Sequence, residues 1–204
     1  FRTFDGGQSW QEQQSGVGTK LNSIFFINNT NGWAVGDNGS LILTSNSGLN
    51  WSFVNTNTIE NLQSVYFVSN QLGWVAGTNG TIIKTTDGGF NWFPLDEPEN
   101  SIYNSLFFIT SNTGVVVDND GFINRTTNGG SSWQFVGSNP YYPLYSVYFP
   151  DQNYGYAVGS YGTILRSSNS GSNWTYLTET LDIYFHSVYF THPSTGWTVG
   201  LNGV

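Results

Sequence analysis

One spacing constrains this chain more than any other feature: a tryptophan recurs every 41 residues with no insertion between copies. The five tryptophans are Trp10, Trp51, Trp92, Trp133 and Trp174. A fixed period of this length marks a repeat protein, in which each copy is one supersecondary unit that packs against its neighbours. The sequence therefore predicts five similar units in a single domain.

Two apolar segments keep the same spacing ahead of the tryptophan. The first reads Ser-Val-Tyr-Phe at residues 64–67, and its copies begin at residues 23, 105, 146 and 187. The second reads Gly-Trp-Val-Ala-Gly at residues 73–77, and its copies begin at residues 32, 114, 155 and 196. Both are too short for helices and rich in β-branched and aromatic residues. We interpret the first as a fully buried inner strand and the second as a strand entered through a glycine turn.

A third strand follows a glycine-containing turn, as at residues 81–85, and a fourth begins at the repeated tryptophan. Four short strands in a unit of about 40 residues are typical of a propeller blade. A lone four-stranded sheet cannot bury both of its faces, so each blade must pack between two others. The predicted fold is all-β: a five-bladed β-propeller with four antiparallel strands in each 41-residue blade.

The two ends of the chain supply complementary parts of one blade. Residues 184–204 contain the first two strands of a repeat, whereas residues 1–15 begin in the register of a third strand. We therefore expect a ring that is closed by N-terminal strands completing the C-terminal blade. The predicted domain is residues 1–204, with blades at about 20–56, 61–97, 102–138, 143–179, and 184–204 plus 1–15.

Composition disfavours several classes of function. The net charge is −8 with only five Lys and Arg, whereas nucleic acids and anionic membranes are bound by basic patches. There is no Cys for thiolate or disulfide chemistry, and no apolar run approaches the roughly 18 residues of a membrane span. The chain has no Met and begins inside a repeat, so we expect an excised or processed piece without its leader. The predicted partners include no nucleic acid, and no membrane insertion is expected.

The turn between the third and fourth strands carries a further motif. It reads Thr-Thr-Asp-Gly-Gly-Phe-Asn-Trp at residues 85–92 and resembles the Asp-box, or BNR, repeat S/T-x-D-x-G-x-x-W. Asp or Asn can bond the turn backbone, Gly accepts a positive φ, and Trp covers the base of the hairpin, so we predict a structural role. The residues are Asp5, Gly7, Trp10, Asn46, Gly48, Trp51, Asp87, Gly89, Trp92, Asn128, Gly130, Trp133, Asn169, Gly171 and Trp174.

Taken with the two apolar columns, these boxes make the whole chain resemble the photosystem II assembly/stability-factor-like propellers, a family that also includes secreted bacterial proteins. The Asp position is Asn in three boxes, and the basic surface associated with the photosynthetic members is missing.

Asp-box propellers include sialidases, so glycosidase chemistry has to be considered. That mechanism needs three arginines converging on a carboxylate and a tyrosine nucleophile. Arg2, Arg125 and Arg166 share one repeat register with Lys84, which distributes them around the ring. We expect each to pack its aliphatic stem between blades and to bond a carboxylate or a turn carbonyl.

Two other groups are candidates for a chemical centre. The segment 118–121, Asp-Asn-Asp-Gly, resembles the start of a calcium loop but lacks the later carboxylate, which favours a polar hairpin turn. His186 and His192 have no Ser, Cys or second His at an informative spacing. The sequence therefore predicts no catalytic residue, no metal site and no cofactor.

Recognition is predicted on one face of the ring. The loops between second and third strands emerge beside the segments that join the blades, and these segments differ in every copy, whereas the boxes lie opposite. Aromatic rings should gather on this face, on two adjacent blades: Tyr141, Tyr142, Tyr145, Tyr161, Tyr184 and His186. Such rings anchor peptides or sugars, but they can also simply fill the loops.

These observations predict a non-catalytic scaffold that binds a protein or assembles with one, located outside the cell or at its surface. A glycan-binding lectin is the alternative, and a glycosidase of the sialidase type is the third candidate.

Overall fold

A computed structural model of the protein describes residues 1–95, 100–137, 142–178 and 182–203, and its regular structure there consists of strands and two short 3₁₀ turns. Four sheets have four strands each. They are β1–β4 (Leu21–Phe26, Gly32–Gly36, Leu41–Thr44, Ser52–Val54), β5–β8 (Leu62–Phe67, Gly73–Gly77, Ile82–Thr85, Phe93–Pro94), β9–β12 (Tyr103–Phe108, Gly114–Asp118, Ile123–Thr126, Gln134–Gly137) and β13–β16 (Leu144–Tyr148, Gly155–Gly159, Ile164–Ser167, Thr175–Thr178).

The fifth sheet has two strands, β17 (Phe185–His192) and β18 (Thr195–Gly200). The 3₁₀ turns span Asp37–Gly39, after β2, and Leu201–Gly203, after β18. No helix in the described ranges is long and apolar enough to cross a membrane.

Every sheet is an antiparallel meander in chain order, as the repeat predicts. In the second sheet, Trp74 of β6 lies opposite Tyr66 of β5 on one side and Lys84 of β7 on the other. The same register recurs in the third sheet, where Val115 lies between Phe107 and Arg125. The prediction of an all-β fold built from repeated antiparallel sheets is confirmed.

The second strand of each of the four complete sheets is the most buried. All five residues of β2, β6, β10 and β14 are buried. The first strands were expected to be fully buried, and this was wrong, because β5 alternates between buried and half-buried positions. The half-buried side contacts the next first strand: the Ser64 hydroxyl accepts from the Leu106 amide at 3.2 Å, and the Tyr66 and Phe107 ring centroids lie 4.5 Å apart.

Neighbouring sheets are joined by an aromatic stack at corresponding positions. The Trp33 ring lies on Phe67 of the next sheet with centroids 3.6 Å apart, and the Trp33 indole donates to the Gly88 carbonyl at 2.9 Å. Gly89 has a φ of +92°, and a Cβ there would lie 2.7 Å from the Trp33 Nε1. Position 89 in the third box therefore has to be glycine, because its backbone is left-handed and because a side chain there would clash with the Trp33 indole.

The fifth sheet departs from the prediction of four strands in every blade. In the described part of the chain, β17 and β18 pair only with each other, and Arg2 pairs with Gln11 instead of with β18. No closed ring is present among the described residues. The N-terminal segment forms its own short hairpin, and its first residues line a cavity of about 320 Å³ with Ile24, Phe26 and Trp51 of the first sheet.

Candidate functional site

One end of the sheets is formed by two kinds of loop that are hydrogen-bonded together. The turn between the second and third strands of a sheet donates a backbone amide to the segment that joins this sheet to the next one. Gly39 donates to the Glu60 carbonyl at 2.8 Å, Gly80 to Ser101 at 2.7 Å, and Gly162 to Ile183 at 2.7 Å. We call this end the loop face; it comprises the turns at 37–39, 78–80, 119–121, 160–162 and 201–203 with the described parts of the inter-sheet segments.

The opposite end carries the Asp-box turns. The box turns of the four complete sheets each donate to the turn between the first and second strands of the same sheet, as in Gly88 to Gln71 at 2.9 Å and Gly129 to Asn112 at 2.8 Å. We call this end the box face; it comprises the boxes at 3–10, 44–51, 85–92, 126–133 and 167–174.

The boxes are stabilised by their own side chains. In the third box the Asp87 carboxylate accepts from the backbone and side-chain amides of Asn91, at 3.0 and 2.7 Å, and these bonds lower the pKa of Asp87 to about 2. In the second box the Asn46 side chain accepts from the Asn50 amide at 3.0 Å. An amide oxygen thus makes the same backbone contact as a carboxylate, which explains why both residues occur in the boxes.

The cations of the third strands lie against neighbouring box turns. The Lys84 ammonium donates to the Gly129 carbonyl at 3.1 Å, and the Arg125 guanidinium donates to the Ser170 carbonyl at 2.8 Å. The Arg166 guanidinium lies 4.8 Å from the centroid of the Tyr154 ring. The three cations have different partners, two of them in separate box turns and the third an aromatic ring, so these side chains do not converge on one site.

The segment that resembled a calcium loop is a hydrogen-bonded turn. The Asp118 carboxylate accepts from the Asp120 and Phe122 amides at 3.0 and 2.8 Å, and Asp120 accepts from the Ser101 hydroxyl at 2.6 Å. No group of three or more His, Cys, Asp or Glu that would hold a metal occurs within the described ranges. His192 hydrogen-bonds Ser194 two residues away at 2.7 Å.

The aromatic residues predicted to gather on the loop face do lie together, apart from Tyr141, which is outside the described residues. The Tyr161 ring lies between those of Tyr142 and Tyr184, with centroid distances of 4.8 and 5.5 Å. Tyr145 and His186 form a second pair at 5.2 Å. We call this set the tyrosine cluster: Tyr142, Tyr145, Tyr161, Tyr184 and His186.

The hydroxyl groups of the cluster interact as well as the rings. A hydrogen bond with Tyr161 is the largest cause that raises the pKa of Tyr184, and Asp182 adds to it with its negative charge. Burial raises the pKa of Tyr145, and the neighbouring Tyr161 adds to this shift. At neutral pH the side chains of Tyr145 and Tyr184 are therefore uncharged, and they present rings together with hydroxyl donors and acceptors.

Tyr161 has a backbone conformation that sequence reasoning did not reveal. Its φ is +53°, a left-handed conformation that is unfavourable for a bulky L-residue, and its side chain is 43% exposed. Three of the four equivalent turns have Asn38, Asn79 and Asn202 here, each with positive φ. The signal was present in the sequence, since Asn before Gly is typical of this conformation, and a tyrosine in the same column departs from it.

The repeated sheets, the stacked Trp and Phe columns and the box turns together define a BNR-type β-propeller. The model of one family, described as photosynthesis system II assembly factor YCF48, matches residues 43–144, which is half of the 204-residue chain. The chain therefore belongs to the YCF48 family. No protein of curated function gives a significant match.

Solved structures agree with this fold at low sequence identity. YCF48 from Cyanidioschyzon merolae is 18% identical with a TM-score of 0.75, over 98% of this chain and 73% of that one. A structure of YCF48 bound to a D1 peptide is 17% identical with a TM-score of 0.54, over 91% and 90% of the two chains. An ancestral GH74 enzyme is 20% identical with a TM-score of 0.70, over 95% of this chain but 33% of the enzyme.

Proposed function

We propose that this propeller is a non-catalytic scaffold that binds an extended segment of a partner protein on its loop face, at the tyrosine cluster. Family membership supports a protein partner, and a structural relative has been seen with a D1 peptide bound. Rings that are rigid and amphipathic make good anchors for peptides because they offer large contact area at low entropic cost. The observation that carries the proposal is Tyr161.

Tyr161 occupies a position where the fold alone favours asparagine. A left-handed conformation costs an ordinary L-residue roughly 1–2 kcal/mol, which asparagine partly avoids through local hydrogen bonds. Backbone strain of this kind persists where the surrounding structure enforces it, and such residues cluster at functional sites. Because the ring is 43% exposed, it is not retained simply to fill the core. Its partial exposure between two other tyrosine rings fits a recognition role.

Two other classes of function account for less of the structure. A lectin would also use aromatic rings, but the protein-binding relative favours a polypeptide ligand. A sialidase-type glycosidase needs converging arginines, whereas Lys84, Arg125 and Arg166 bond separate box turns or an aromatic ring. The GH74 enzyme shares the fold over only a third of its length, so its activity carries no weight here.

We also propose that the first and fifth sheets close the ring. Trp74 on Phe108 and Tyr156 on Phe190 repeat the stack of Trp33 on Phe67, at 3.5 and 3.8 Å. If the same pattern continued from the fifth sheet to the first, Trp197 of β18 would stack on Phe26 of β1. Both side chains are now exposed, and Phe26 lines the cavity of about 320 Å³ at this edge. Closure would bury both faces by contacts that the other sheets already make.

The location outside the cell or at its surface is likewise proposed. Its support is a sequence in which only 9% of residues are charged, together with the resemblance to secreted propellers. Labelling of intact and of permeabilised source cells with an antibody to the propeller tests it. Signal that requires permeabilisation would contradict this location.

Selection from a random peptide library on the immobilised propeller tests the function, alongside a glycan array and a panel of glycosidase substrates. We expect enrichment of peptides, with neither glycan binding nor hydrolysis. The selected peptides should compete with one another for binding, because they share the tyrosine cluster. Specific glycan binding without peptide enrichment would establish the lectin instead, and turnover of any substrate would refute the non-catalytic role.

A further inference from the structure

Charge is distributed unequally between the two faces. Four of the five cations, Arg2, Lys84, Arg125 and Arg166, occupy the third-strand register, and the last three contact box turns or a ring near the box face. The loop face has one cation in its described part, Lys20. It also presents four carboxylates that are not fully buried: Asp37, Glu60, Asp120 and Asp182.

The carboxylates of the loop face have neutral hydrogen-bond partners. Asp37 accepts from the Asn22 amide at 2.8 Å, and Glu60 accepts from the Thr78 hydroxyl at 2.7 Å. These bonds orient the carboxylates, and the bond from Thr78 is the first cause that lowers the pKa of Glu60. Hydrogen bonds from neutral groups do not cancel negative charge, so the loop face keeps a negative potential.

The aromatic rings of the protein already receive cations, but elsewhere. Within the described residues, cations lie over Phe4, Trp74 and Tyr154 at 4.0, 5.4 and 4.8 Å from the ring centroids. None of these contacts involves the tyrosine cluster. No cation of the described chain therefore contacts the cluster, whose Tyr161 is 43% exposed, and Asp182 is close enough to Tyr184 to affect its pKa.

We infer that the segment bound on the loop face is cationic, with an arginine or lysine seated against the rings of Tyr161 and Tyr184 and facing Asp182. This inference rests on the proposed function and specifies the chemistry of its partner. Three features meet at this point: partly exposed tyrosine rings that no cation of the described chain contacts, a nearby carboxylate and an electronegative face. A guanidinium satisfies all three, because it stacks on aromatic rings and pairs with a carboxylate.

Fluorescence polarisation with short labelled Gly/Ser peptides tests the inference. One peptide carries several arginines, a second carries lysines at the same positions, a third glutamines and a fourth glutamates. The arginine peptide should bind at least about tenfold more tightly than the glutamine peptide, and the glutamate peptide should not bind. Its affinity should fall as salt rises from about 50 to about 300 mM, because screening weakens exposed charge pairs.

Two matched variants separate local recognition from attraction by the net charge. Asp182→Asn on the loop face should weaken the arginine peptide several-fold. Asp87→Asn removes the same charge from the box face and should leave the affinity unchanged. Equal losses in both variants would overturn the inference, because the attraction would then be that of the whole molecule.

Failure of the inference and failure of the proposed function give different results. If the glutamine and arginine peptides bind equally well and both lose affinity in Tyr161→Asn, the site stands and its cationic preference is refuted. If the arginine peptide binds wild type and Tyr161→Asn equally well, the proposed site itself is refuted. If none of the peptides binds, the inference is likewise overturned.

Discussion

The indole ring of Trp33 lies parallel to the phenyl ring of Phe67 in the next sheet, at an interplanar angle of 11° and a centroid distance of 3.6 Å. The same pair recurs one repeat later as Trp74 and Phe108, at 7° and 3.5 Å. Both indoles also donate to a carbonyl of a box turn, at Gly88 and Gly129. One tryptophan thus connects the second strand of one sheet, the first strand of the next and the box of the next.

Trp74→Ala should therefore be strongly destabilising. The side chain is fully buried, and its removal leaves a cavity at the joint between the second and third sheets and takes away one of the two donors to the Gly129 carbonyl. We expect a loss of about 3–5 kcal/mol in the free energy of unfolding, measured by denaturant titration. Phe90→Ala on the box face is the control, because that ring is 67% exposed and its loss should change stability little. A small effect of Trp74→Ala would contradict the proposed joint.

Trp197→Ala tests ring closure with the same chemistry. In a closed ring Trp197 would stack on Phe26, and Trp197→Ala should lower the free energy of unfolding by about as much as Trp74→Ala. In the open arrangement, where the indole is 58% exposed, the loss should stay below about 1 kcal/mol. Denaturant titration of both variants under the same conditions distinguishes the two arrangements. A loss below about 1 kcal/mol would contradict closure.

Acid should weaken the boxes that contain aspartate. The pKa of Asp87 is lowered to about 2 by its bonds with Asn91, against about 3.9 in an unfolded chain. Its carboxylate therefore stabilises the fold at neutral pH, and this contribution disappears as the pH falls from about 4 towards 2. Because Asp87 is exposed, water screens the interaction, and we expect no more than about 1 kcal/mol.

The variant Asp87→Asn isolates this contribution. At pH 7 it should be nearly neutral, since Asn46 makes the equivalent backbone contact in the second box. The wild type should lose stability relative to the variant between pH 5 and pH 2 in thermal melts, because only the aspartate has a carboxylate to protonate. A difference that stays constant in acid would contradict the assignment of the low pKa to this box.

The 41-residue spacing was sufficient to predict the sheets, their order and the two faces, because a repeat places equivalent residues in equivalent surroundings. The spacing was not sufficient to predict how deeply the first strands are buried. Ser64 and Tyr66 contact the first strand of the next sheet and are only half-buried. The spacing also did not predict that the fifth sheet has only its first two strands in the part of the chain that the structure describes. Register shows which segments can pair, but Arg2 pairs with Gln11 in a competing local hairpin.

For the candidate site, the sequence indicated the aromatic residues and the face on which they lie. Distances between rings depend on how the loops bend, so the position of Tyr161 between Tyr142 and Tyr184 required the structure. The positive φ of Tyr161 also became apparent only there. Comparison of its column with Asn38, Asn79 and Asn202 would have suggested it.

The substitution Tyr161→Asn tests the central claim most directly, because recognition and loop filling predict opposite results. It restores the residue of the sister turns, so the melting temperature should stay constant or rise, with a gain of up to about 1 kcal/mol. Affinity for a peptide selected on the wild-type protein should fall by about 2 kcal/mol or more, whereas Phe90→Asn on the box face should leave it unchanged. A lower melting temperature together with unchanged affinity would show that Tyr161 fills the loops and would contradict the account.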